Sequence, residues 1–178
     1  MNETQEKLLR ERGVIILPED IRHETYVDTL SLLLLAESEW TAEIKLYCAG
    51  SGGSAPDAIA IVDLIQARGN VTGYLAGQAQ SCHTTIWAGC NKRIVYPYAS
   101  IGVHGLRWSS LSEQDIRSLN NRNNELVSGE RKISNIMASA CSAEFDETFW
   151  RGVIQETGSD GIRIFDAVDC IKMGMATF

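Results

Sequence analysis

The sequence predicts an α/β fold built on a largely parallel central sheet. Short apolar runs alternate along the chain with longer segments whose apolar residues recur at helical spacing, the pattern of βαβ units. Two of those runs lead directly into glycine-bearing turns followed by helical sequence, one at residues 50–54 and one at residues 77–81. No internal repeat, low-complexity tract or linker interrupts the pattern, so residues 1–178 form a single domain. That length is ample for one sizeable core.

In chain order, residues 1–13 are polar and charged and make a short helix or a frayed start. Val14–Leu17 is a compact apolar run stopped by Pro18, hence a first strand. From Asp20 to Glu39, Val27, Leu30, Leu33 and Leu34 recur at helical spacing and predict a helix with one buried face. Ile44, Leu46 and Cys48 alternate with Lys45 and Tyr47, a second strand. Ser54 is placed to cap the next helix, with Pro56 and Asp57 in a first turn that tolerates a missing donor and favours a negative charge. Ala58, Ile61, Val62 and Ile65 form its inner face, and Gly69-Asn70 ends it.

Val71–Ala76 reads as a buried strand ended by Gly77, with a helix suited to an interior running on from Ser81. Ile94–Tyr96 and Ser100–Val103 are short strands on either side of Pro97. A long, polar-rich helix over about residues 111–140 starts near Ser110 to Ser112, with Glu113 or Asp115 completing a capping box. Its apolar stripe is thin (Ile116, Leu119, Leu126, Ile133, Met137), as in a helix that packs on a partner or projects from the body. Ser142 is expected to cap a further helix with Phe145, Phe149, Trp150 and Val153 inward. Residues 158–161 make a turn, Ile162–Phe165 a strand and Ala167–Gly174 the last helix.

Composition excludes several function classes. The formal charge of −7, with no basic cluster, argues against a nucleic-acid partner. The longest apolar run, Leu30–Ala36, is too short to span a bilayer. Met1–Lys7 lacks the basic start and apolar stretch of a signal peptide. Five cysteines, an odd count without metal-ligand spacing, point to reduced and mostly buried thiols. A cytoplasmic location is expected.

In parallel sheets functional groups gather where strands lead into helices, and Gly53 and Ser81 both follow strand ends. A serine at such a junction meets free backbone N–H groups and the positive end of a helix dipole. That suits a nucleophile whose substrate oxygen becomes negative; it also describes a serine that only caps a helix. The chain has three histidines. His83 lies two residues beyond Ser81 on the same helix and points to nearly the opposite side. His23, in an early helix with no motif around it, reads as a surface residue. His104 ends an apolar strand, with Gly105 beside it leaving room for a substrate backbone; taken alone it is a base or a structural histidine.

The segments Gly77-Gln78-Ala79-Gln80-Ser81-Cys82, Ala49-Gly50-Ser51-Gly52-Gly53-Ser54 and Ile101-Gly102-Val103-His104-Gly105 together resemble one family, the proteolytic subunit of the Clp protease, a serine endopeptidase. Leu8–Arg12 followed by the Val14–Leu17 strand is similar to that family's opening, and the long helix to its handle. The resemblance implies a crotonase-like (ClpP-like) ββα superhelix with a protruding handle helix. It makes Ser81 the nucleophile, in a segment where the family has Gly-Gln-Ala-Ala-Ser-Met, and His104 the base. The oxyanion donors it implies are the N–H groups of Gly53 and Cys82, with Ser51 standing where the family has proline.

The family's acidic residue falls on Ile162 by direct count, and a two-residue insertion brings Asp160 into its place. Asp166, which reads as a helix cap, and a Ser–His dyad are the alternatives. The resemblance also implies heptameric rings stacked in pairs, a peptide or unfolded-protein substrate and no metal or organic cofactor. ATP would serve only a partner unfoldase. Only seven residues precede Leu8, fewer than the family's axial-loop segment, which leaves docking of a Clp ATPase open. Two rival readings are a catalytically inactive ring subunit and an acyl-CoA hydratase or isomerase of the crotonase fold, whose usual carboxylates at the reacting carbon have no counterpart here.

Overall fold

The computed structural model describes residues 3–39, 43–107, 116–158 and 161–177. Along the chain these form α1 (Glu3–Arg12), β1 (Val14–Ile16), β2 (Asp20–Ile21), α2 (His23–Glu39), β3 (Ile44–Gly50), β4 (Gly52–Gly53), α3 (Ala55–Arg68) and β5 (Val71–Gln80). There follow α4 (Cys82–Ala88), β6 (Lys92–Val95), β7 (Ser100–Val103), α5 (Ile116–Ser139), α6 (Glu147–Thr157), β8 (Arg163–Asp166) and α7 (Ala167–Lys172). Among the described residues the main sheet has six strands in the order β1-β3-β5-β7-β8, with β6 alongside the first half of β5. Every pairing in it is parallel except β7 with β8. β2 and β4 form a small separate parallel pair. The expected α/β class with a parallel-rich sheet is therefore present.

β5 is the organising strand, and it is longer than expected. Gly77, at φ 86°, does not end it. Instead the strand passes from pairing with β6 over Thr72–Leu75 to pairing with β7 over Gln78–Gln80. Glycine inside a strand commonly marks such an irregularity, because it accepts backbone angles that other residues resist. The β3 register shifts at the same level, between Cys48 and Gly50.

α3 has the expected local signals: Ser54 accepts from the Asp57 N–H, Pro56 lies in the first turn and Gly69 closes the helix in the left-handed conformation. α4 has the opposite character, since all seven of its residues are buried. Trp87 Nε1 donates to the Gly73 carbonyl at 3.2 Å, which leaves no unpaired donor on the largest side chain of that helix.

α2 buries a face that shares Leu33 with the expected one but is otherwise shifted. Thr25, Thr29, Leu32, Leu33 and Ala36 are inside, while Val27 and Leu34 are 44% and 55% exposed. Residues 30–36 are apolar almost all round, so periodicity there does not select a face. The helix also starts later, because Asp20 and Ile21 pair with Gly52 and Gly53 as β2. α6 is capped by Asp146, whose Oδ1 accepts from the Phe149 N–H at 3.0 Å, and not by Ser142, whose own N–H donates to the Met173 carbonyl. α5 is buried toward its C-terminal end, at Ile133, Ser134 and Met137, and exposed over most of residues 120–128. The expected start of that helix near residues 110–115 lies outside the described residues. Among the described residues no helix is long and apolar enough to cross a membrane.

Candidate active site

Three neighbouring strands, β3, β5 and β7, end side by side, and each is followed by one part of the expected site. β3 leads into Gly52-Gly53, β5 into Ser81 and β7 into His104. The register pairs Gln80 with Gly102, so Ser81 and His104 leave adjacent parallel strands at nearly the same level. A backbone hydrogen bond from Ser81 N to Gly102 O, 2.7 Å, closes that junction. Thr84 secures it from below, its Oγ1 donating to Ala79 O at 2.7 Å and accepting from Gly102 N at 3.3 Å.

Ser81 has φ 53° and ψ −118°, the only positive φ at a non-glycine residue among those described. Its hydroxyl makes no helix-capping hydrogen bond. The reading of Ser81 as an ordinary cap is thereby removed, and a strained conformation of this kind costs about 1–3 kcal/mol that the surroundings must sustain. The strain lifts the side chain out of the strand and aims it into a groove of about 1330 Å³ whose walls include Gly53, His104, Ile59 and Leu126. The glycine loop lies against it: a Cβ on Gly52 would stand 2.7 Å from Ser81 Cβ and 3.1 Å from its Oγ. Only glycine permits that approach.

His104 is half-buried, and its Nδ1 lies 2.6 Å from the carbonyl of Gly105. A carbonyl only accepts, so Nδ1 carries a proton, and in the neutral imidazole the lone pair lies on Nε2. That is the tautomer a general base toward a serine requires. Among the described residues no carboxylate binds His104, and no hydrogen bond joins it to Ser81 Oγ; the hydroxyl lies instead against the Cys82 thiol. Gly105 does not provide open space for a substrate. Its N–H donates to Gly158 O at 2.7 Å, and a Cβ there would stand 2.7 Å from that same carbonyl.

Cys82 opens α4, whose first-turn N–H groups have no acceptor within the helix. Its thiol donates to the Gly53 carbonyl at 3.2 Å, and burial pushes its pKa up to about 11, so it stays a thiol at neutral pH. The expected oxyanion donors Gly53 and Cys82 are thus in contact. The other four cysteines are free as well, three of them buried and Cys141 half-buried. Asp160 lies outside the described residues. Asp166 is paired with Ser100 across β7 and β8, four residues back from His104, or roughly 13 Å along a strand. It caps α7, accepting from the Asp169 N–H at 2.9 Å, which is the role its sequence context suggested.

Two histidines carry more than expected. His23 is exposed, but its Nδ1 pairs with Asp57 Oδ1 at 3.1 Å and it lines the groove that contains Ser81. His83 is fully buried behind Ser81. Neither contact has a sequence signal, because both cross from one element to another 34 or more residues away. Gly52 does have one, as the second of three glycines within four residues.

The Clp protease family model matches residues 1–177 of the 178. The chain belongs to the Clp protease family. No curated protein matches it. Membership of this family makes the chain a peptidase-type domain, and the resemblance drawn from the three sequence segments therefore holds for the chain as a whole.

Proposed function

We propose that this Clp protease family chain is a serine endopeptidase subunit, with Ser81 as nucleophile and His104 as base and then acid. The observation that carries the reading is the pairing of a strained, uncapped Ser81 with a histidine whose Nε2 is left free, on adjacent strand ends. The imidazole takes the hydroxyl proton as Oγ attacks the peptide carbonyl, then gives it to the leaving amine. The N–H groups of Gly53 and Cys82 receive the oxyanion. Asp160 is the proposed third member, and Gly158, bonded to the neighbour of His104, stands two positions before it in sequence. Since the Gly105 carbonyl already holds Nδ1, the carboxylate adds to an orientation that exists without it. Cleavage uses no metal or organic cofactor, and ATP would serve only a partner unfoldase. Heptameric rings stacked in pairs through α5, with a peptide or unfolded protein enclosed, are the assembly proposed, in a cytoplasmic setting.

The test is hydrolysis of a short fluorogenic peptide by full-length rings, with ring size followed by light scattering. Ser81→Ala and His104→Ala should each abolish cleavage, and Asp160→Ala should lower it by about 10- to 100-fold, less than the ~10⁴ loss of a triad that depends on its carboxylate. Full activity in Ser81→Ala would sink the reading. The missing Ser81–His104 hydrogen bond favours one second reading, an inactive ring subunit. Well-formed rings that neither cleave nor react with a fluorophosphonate would support it.

A further inference from the structure

Behind the nucleophile, the His83 imidazole reaches away from the groove. Its Nε2 lies 3.2 Å from the carbonyl of Glu19. That carbonyl is an acceptor, so Nε2 carries the proton and donates it. The same oxygen receives Ser51 N at 3.1 Å and Ser51 Oγ at 3.4 Å. One carbonyl thus gathers α4, which begins at the nucleophile, and the glycine loop that crosses in front of it. Glu19 in turn leads into β2, whose Asp20 and Ile21 are the register partners of Gly52 and Gly53.

Gly50 is shaped around this contact: a Cβ there would stand 2.5 Å from both Glu19 O and His83 Nε2. His83 itself is fully buried, and its Nδ1 has no hydrogen-bond partner. An orphaned buried nitrogen is costly, and an apolar side chain would fill the same space without that cost. Packing alone therefore does not account for a histidine at this position.

We propose that His83 is a positioning residue, holding the glycine loop at the distance from Ser81 at which the Gly53 N–H meets the oxyanion. The inference rests on the peptidase reading above. Its physical basis is that the loop makes its decisive contact only when charge develops on the substrate oxygen. A small displacement therefore costs turnover and leaves ground-state binding nearly intact. Loss of the His83 hydrogen bond leaves Glu19 O to Ser51 alone and frees the loop to move outward.

The test compares full-length wild type, His83→Leu and His83→Gln in peptide hydrolysis, with thermal unfolding as the folding control and fluorophosphonate labelling of Ser81 alongside. His83→Leu should lower kcat by about 10- to 100-fold with KM within about twofold. His83→Gln, whose amide reaches as far as Nε2, should recover most of kcat. Should the leucine variant fail to fold, His83→Asn against His83→Gln makes the same comparison, because the shorter amide stops short of Glu19. Unchanged kcat in His83→Leu, or equal loss in the Gln and Asn variants, overturns the inference while labelled, active wild type leaves the peptidase reading standing. Wild type that neither cleaves nor takes label overturns both.

Discussion

The backbone N–H of Ser81 donates to the carbonyl of Gly102 at 2.7 Å, so the turn that bears the hydroxyl is fastened to the strand that ends in His104. The proposed nucleophile and base are thereby held by main chain, independently of their own side-chain contacts. A site built in this way transmits small backbone shifts directly to the reacting atoms, since a displacement of about 1 Å is enough to cost about 100-fold in rate.

Gly52 is the place to test that sensitivity. Its φ of 120° disfavours any side chain, and a Cβ would stand 2.7 Å from Ser81 Cβ, closer than packed carbons approach. In Gly52→Ala either the loop or Ser81 must move. The expected loss is about 100-fold or more in kcat/KM, with a stability cost of about 1–3 kcal/mol from the backbone conformation. Peptide hydrolysis and urea unfolding on the same preparation measure both. Activity within twofold of wild type would mean that Gly52 does not bear on the reacting hydroxyl.

His83 gives a stability signature in pH. Burial lowers its pKa below the ordinary value of about 6.5, outweighing the Pro18 and Glu19 backbone hydrogen bonds and, less strongly, the Asp20 and Glu19 carboxylates, all of which favour the charged form. The unfolded chain therefore binds this proton more readily than the folded one, and stability contributed by neutral His83 is fully present above pH 6.5. It declines as pH falls from there through the folded value, below which both states are protonated and no further loss accrues. Denaturant unfolding of wild type and His83→Gln between pH 8 and pH 5 should show wild type losing ground as acid is added. Parallel curves would show that His83 does not titrate differently in the two states.

What could be read from the sequence divides by range. Ser54, Pro56 and Gly69 specify α3 through contacts within three or four residues, and such signals survive in a one-dimensional reading. Ser81 and His104 stand out in the sequence because one follows the glycine turn after an apolar run and the other ends one. The buried face of α2 does not, since Leu30, Leu32, Leu33, Leu34 and Leu35 offer apolar surface in every direction and only neighbouring elements choose among them. Ser142 and Asp146 are both good caps, and the Met173 carbonyl, more than 30 residues downstream of Ser142, decides between them. The partner of His104 was hidden for a different reason. A backbone carbonyl has no residue identity, so no sequence pattern announces that Gly105 O will accept from His104 Nδ1.

Arg93 is a structural counterpart to these site contacts. Its guanidinium donates to four carbonyls: Nε to Met175 O at 2.5 Å, Nη1 to Cys90 O at 2.5 Å and Ala88 O at 3.3 Å, and Nη2 to Ala140 O at 3.4 Å. Ala88 is the last residue of α4 and Ala140 follows the last residue of α5, so the cation meets the partly negative ends of two helices. Burial lowers its pKa, yet guanidinium remains charged, and no carboxylate binds it among the described residues. Arg93→Met should therefore leave these carbonyls without their donors and lower stability by about 3 kcal/mol. Arg93→Lys should recover less than half of that, because one ammonium cannot span acceptors on three segments as the planar fork does. Urea unfolding of the full chain measures both. A lysine variant as stable as wild type would show that the charge, and not the fork, joins α4, α5 and the last turn of the chain.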